Sequence, residues 1–99
     1  MIGIIVHHYA ISGREAEGIG LIQASGRAMH AMKGFRARHT LVAESNRSQI
    51  TTVTFWESKE DYLHWMQSAE RKKVARPSYD LWTQPPVPEF FEVAPERRM

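Results

Sequence analysis

Hydrophobic positions along this chain fall into two periods, every second residue in some segments and every third or fourth in others. Residues 2–11 read as a strand, with Ile2, Ile4, Val6 and His8 on one face and Ile5, His7, Tyr9 and Ile11 on the other, because successive side chains of a strand point to opposite sides. Ser12-Gly13 interrupts it, and Ser12 is placed to cap a helix over 14–32, in which Ile19, Ile22, Gly26 and Met29 recur at helical spacing. Gly18, Gly20 and Gly26 each cost such a helix roughly 1 kcal/mol relative to Ala, a cost that close packing against a sheet would offset. Lys33-Gly34 supplies the glycine expected after a helix.

A second strand is predicted over 35–44, with Phe35, Ala37, His39 and Leu41 on one face and Arg36, Arg38, Thr40 and Val42 on the other. The polar run Ser45-Asn46-Arg47-Ser48 turns it into a third strand over 49–57. That strand runs without a linker into a helix over 59–75. Ser58 is set to cap it, with Asp61 three residues on in a variant of the capping box. Tyr62, Leu63, Met66, Ala69 and Val74 mark the buried side of this helix, and Pro77 ends it. An irregular stretch from Pro77 to Pro88 contains Trp82, and a last strand over 89–93 precedes a polar tail.

The order βαββαβ predicts an α+β fold, a ferredoxin-like antiparallel sheet with both helices on one face, formed as a single domain over 1–99. Such a sheet leaves its second face bare, and a homodimer is the expected way to cover it. The chain has no cysteine, which excludes disulfides, thiolate metal sites and cysteine nucleophiles. With a net charge of +2, no apolar run near the roughly 20 residues that span a bilayer and no basic leader, a cytoplasmic protein without membrane contact is expected. No metal motif, phosphate loop or nucleophile elbow is present. Lys33-Gly34-Phe35 begins like an RNA-recognition strand, but Ala37 and Thr40 stand where further stacking rings belong, so no nucleic-acid partner is expected.

The segment Phe55-Trp56-Glu57-Ser58-Lys59-Glu60-Asp61-Tyr62, with Trp65 and Ser68 after it and Gly34-Phe35 before it, resembles the antibiotic biosynthesis monooxygenase family of the dimeric α+β barrel superfamily. The resemblance implies a homodimer whose sheets pack face to face, with a pocket between sheet and helices in each subunit. It also implies oxygenases that need no cofactor and act on polycyclic phenols or quinols, or enzymes that degrade haem. The haem-degrading branch uses an Asn on the first strand, a Trp on the second helix and an iron-ligating His ten residues later. The matching positions here are His7, Trp65 and Ala75, so Trp65 agrees and the iron ligand is missing. Haem is therefore disfavoured, and no cofactor is expected.

The same resemblance singles out His7 as the catalytic base, since its position matches the pocket Asn and a near-neutral imidazole suits deprotonation of a phenol. A hydrogen-bonded histidine on the sheet surface or at the dimer interface is the plain alternative, and His8 points to the opposite face. Tyr9, Arg38, His39 and Trp65 are the expected substrate-binding residues, with Trp65 packing on an aromatic ring and Arg38 steadying an anion. Trp65 as core filling, Arg38 as an exposed cation and His39 as a satisfied buried histidine are their plain readings. Arg71-Lys72-Lys73 near a helix end is explained by the macrodipole alone. The reading is a cofactor-independent monooxygenase acting on an aromatic small molecule. A dimeric protein that binds a hydrophobic ligand or partner without catalysis, and a haem-binding protein, are its alternatives.

Overall fold

The computed structural model describes residues 1–75 and 80–95. Its elements run β1 (Ile2–Tyr9), α1 (Glu15–Met29), β2 (Phe35–Val42), β3 (Gln49–Trp56), α2 (Lys59–Gln67), α3 (Ala69–Ala75) and β4 (Pro88–Glu92). The four strands form one antiparallel sheet in the order β2-β3-β1-β4. This is the α+β, ferredoxin-like arrangement that the element order implies.

Strand β3 shows the sheet's two-sidedness most plainly. Ile50, Thr52, Thr54 and Trp56 are buried while the residues between them are only half-buried. In register beside them stand Ile2, Ile4, Val6 and His8 of β1. The helices pack on this face, where Ile4, Met29, Trp56, Tyr62 and Trp65 form one core cluster and Ala10, Ile22 and Ile50 a second. Edge-on ring contacts link Phe35, Trp56, Tyr62 and Phe90 across the first cluster, a geometry that the ring quadrupole favours. On the other face Leu41 and Phe91 stay about half exposed.

Four local expectations change. Phe35 opposes Trp56 but Ala37 opposes Phe55, so a β-bulge lies between them. The extra residue returns Phe35 to the helix face together with Arg38 and Thr40. It also parts Arg36 from Arg38: Arg36 pairs with Glu57 at 2.6 Å on the surface. The helix predicted over 59–75 is two helices, because Ser68 leaves helical geometry at φ −74° and ψ 153°. Its hydroxyl donates to the Trp65 carbonyl at 2.7 Å and accepts from the Arg71 amide at 3.1 Å, the competition with backbone bonding that makes serine a helix end rather than a helix interior. Ser12 caps nothing: the residue before α1 is Arg14, and the Glu15 carboxylate accepts from the Gly13 amide at 2.8 Å instead. The first strand stops at Tyr9, after which Ala10 makes a single bridge to Trp82. Pro77, expected to end the second helix, lies outside the described residues.

The junction after β3 forms as the sequence implies on one side of the box. The Ser58 hydroxyl accepts from the Asp61 amide at 3.1 Å and donates to the Asp61 carboxylate at 3.0 Å. That carboxylate lies against Gly34, whose φ of +83° and lack of a side chain admit it. Turn and cap are thereby locked together.

Candidate active site

Between the sheet and the helices lies a cavity of about 150 Å³. Val6, His8, Arg38 and Thr52 rise into its wall from the sheet, Tyr62 and Trp65 come from α2, and Trp82 comes from the connection before β4. Two glycines of α1 make room for this wall. A β-carbon on Gly26 would collide with the Arg38 guanidinium, and one on Gly18 would stand 3.0 Å from the Trp82 ring. Gly20 faces open space and shows no such reason.

The structure puts His8, not His7, at the cavity. His8 pairs across the sheet with Ile50, one of the buried residues of β3, and its ring lies 4.9 Å from that of Trp82. His8 Nδ1 stands 3.2 Å from the Ile50 carbonyl oxygen. A carbonyl only accepts, so Nδ1 carries the proton and Nε2 carries the lone pair. Burial pushes the His8 imidazole down to about 4; the Ile50 hydrogen bond opposes this, and the charges of Arg38 and His7 add to it. At neutral pH His8 is an uncharged base.

Arg38 is the fixed charge of the site. Its guanidinium donates to the Ile22 carbonyl and, at 3.0 Å, to the Thr40 hydroxyl, while Nε is buried without a partner. Desolvation lowers its pKa from the usual arginine value, without bringing deprotonation into reach. Trp65 is 1% exposed and Tyr62 is almost as enclosed. Burial raises the Tyr62 phenol to about 12, with the Arg71 charge opposing, so Tyr62 is a donor rather than a base at neutral pH.

Of the five residues expected from the sequence, the structure therefore brings Arg38 and Trp65 to the cavity and leaves His7, Tyr9 and His39 off it. His7 follows its register to the opposite face, where Nδ1 lies 2.7 Å from the Thr51 hydroxyl and Nε2 lies 3.5 Å from the Glu89 carboxylate. Tyr9, on the same side of β1, lines an open depression with Asn46, Ser48 and Thr83. His39 is exposed. His8 was set aside on the position of the family's Asn, and Trp82 carried no periodic signal because it sits in an irregular stretch.

The cavity does not fit a haem. Ala75, which stands where the iron-ligating histidine would be, lines the wall and has nothing to donate to iron. Among the described residues no group of three or more His, Asp or Glu is placed to share a metal ion, and no helix is long and apolar enough to cross a membrane.

The sequence model of the antibiotic biosynthesis monooxygenase family matches residues 1–77. No curated protein matches the chain. Among solved structures, SnoaB from Streptomyces nogalater, named a cofactor-independent oxygenase, is similar at a TM-score of 0.81 and 13% identity, over 96% of this chain and 95% of that one. A protein from Bordetella bronchiseptica, named a candidate antibiotic biosynthesis monooxygenase, is similar at 0.85 and 17%, over 94% and 96%. Rv0793 from Mycobacterium tuberculosis is similar at 0.84 and 12%, over 98% of both chains. At these identities the likeness is one of fold.

The His8 environment sets a pH dependence of stability. Its pKa is about 4 in the folded protein and near 6.5 when unfolded, so between those values the unfolded chain binds more protons. The neutral imidazole thus contributes stability that is complete above pH 6.5 and disappears as pH falls to about 4. The linkage amounts to about 3 kcal/mol. Denaturant unfolding at pH 7 and pH 4 should show wild type losing about that much more than His8→Phe. Equal losses in the two proteins would mean that His8 is not desolvated.

Proposed function

Because this chain belongs to the antibiotic biosynthesis monooxygenase family, we propose that it is a cofactor-independent monooxygenase acting on a phenol or quinol, and that it works as a homodimer joined through the bare face of its sheet. The observation that carries the reading is the composition of one cavity wall. A neutral imidazole with its lone pair on Nε2, a fixed cation and the rings of Trp65 and Trp82 line a single cavity. The fold shared with SnoaB, named a cofactor-independent oxygenase, supports the absence of a cofactor.

With a hydroquinone as substrate the chemistry balances without an external reductant. His8 Nε2 takes a hydroxyl proton, and the quinolate passes one electron to dioxygen. The resulting radical pair joins a ring carbon to oxygen. The proton returned by His8 gives a hydroperoxide, and loss of water from it breaks the O–O bond and leaves a carbonyl. One oxygen atom stays in a hydroxyquinone, the other leaves as water, and the substrate supplies all four electrons. The first step is uphill. A phenol near pKa 10 facing an imidazole near 4 means about six units, or about 8 kcal/mol. A cation about 4 Å from the new anion returns about 4 kcal/mol at an effective dielectric constant of 20. Arg38 is thus what makes so weak a base sufficient.

An oxygen electrode with hydroquinones as substrates tests this reading. Wild type should consume oxygen, and His8→Ala should lose about a hundredfold in rate, within the range for a general base. His7→Gln, altered on the opposite face of the sheet, should stay within twofold. Full activity in His8→Ala would remove the imidazole from the mechanism. Binding without oxygen uptake by wild type would make the protein a ligand carrier instead.

The dimer rests on a face that carries Ile5, Val53, Phe55, Leu41 and Phe91 in adjacent register, too apolar to stand in water. Light scattering should give twice the 11.4 kDa of one chain, and Leu41→Glu should halve that mass. A wild-type monomer would refute this part.

A further inference from the structure

The cavity wall is electropositive. Arg38 and Arg71 line it, and among the described residues no Asp or Glu does. Among the described residues neither arginine has a carboxylate within ion-pair distance. Among the described residues Arg71 donates to the Met66 carbonyl, at 3.5 Å. Arg38 is held more firmly. Two of its nitrogens are fixed by Ile22 and Thr40, Gly26 leaves it room beneath α1, and Nε is buried with its hydrogen unmet. Buried charge is normally paired, and a buried donor is normally satisfied. A fixed arginine beside a cavity, with no paired carboxylate among the described residues, suits an anionic ligand.

We propose that the ligand of this cavity is a single-ring aromatic carboxylate, whose carboxylate pairs with the Arg38 guanidinium and whose ring packs on Trp65 and Trp82. A carboxylate accepts from a guanidinium N–H more strongly than a neutral oxygen does, because the bond is charge-assisted. The size of the space sets the ring count. About 150 Å³ matches one benzene ring. The inference rests on the oxygenase reading for its cavity, and it narrows the substrate to a quinol or phenol that also carries an acid group.

The test is calorimetric titration of the wild-type protein with three compounds: 2,5-dihydroxybenzoate, its neutral amide 2,5-dihydroxybenzamide, and hydroquinone. The carboxylate should bind at least tenfold more tightly than either of the others. Arg38→Lys, which keeps a positive charge but not the planar guanidinium, should weaken the carboxylate at least threefold and shrink its advantage over the amide. Equal affinity for acid and amide, or no binding by any of the three, overturns the proposal. Oxygen uptake measured on the same samples separates the two readings. Selective binding of the carboxylate without uptake supports this proposal and removes the oxygenase. Turnover of hydroquinone without preference for the acid does the opposite.

Discussion

Side chains alternate strictly across a β-sheet, and here the helices cover only one face of it, so each strand residue falls either among the helices or outside them. The buried run of Ile50, Thr52, Thr54 and Trp56 on β3 defines the covered face. Cross-strand register then assigns every residue of β1 and β2. That constraint puts His8 beside the cavity and His7 beyond it, although the two are adjacent in sequence. It also decides the chemistry, because only the covered side strips water from an imidazole and lowers its proton affinity. The bulge at the start of β2 is the one place where the alternation is broken, and it brings Phe35 and Arg38 onto the same side.

Packing then makes the covered face a site rather than a filled core. Gly18 and Gly26 weaken α1 as a helix, yet they let the Trp82 ring and the Arg38 guanidinium lie against its backbone. Larger residues at these positions would displace both groups. The helix accepts a propensity cost of roughly 1 kcal/mol per glycine where the cavity needs room. The break at Ser68 acts in the same direction, ending α2 just after Trp65 and restarting the chain as α3, whose Arg71 and Ala75 also reach the wall.

Much of this was legible in the sequence, and the misreadings have physical causes. The strand-to-helix junction at Phe55–Tyr62 announced the second half of the fold, because a serine cap and a β-branched run are local signals. The element order and the strand faces of β1 followed from period two. The face of Phe35 did not, since a bulge shifts register by one residue without altering composition. Which of His7 and His8 lies at the cavity was hidden for a related reason. Both faces of β1 carry aliphatic residues, so neither stands out as the inner one, and the position of the family's Asn favoured His7. Trp82 was invisible because nothing periodic surrounds it; it is found only once the bridge from Ala10 brings it to the sheet.

Alternation buries His8 as a neutral imidazole, with its proton on Nδ1 and its lone pair on Nε2. Long-range 1H–15N NMR of the histidine rings, followed from pH 8 to pH 4, measures tautomer and charge at once. The account requires His8 to show an Nδ1–H neutral ring that does not become half protonated until about pH 4. A His8 ring that carries its proton on Nε2, or that titrates near the ordinary 6.5, would contradict it.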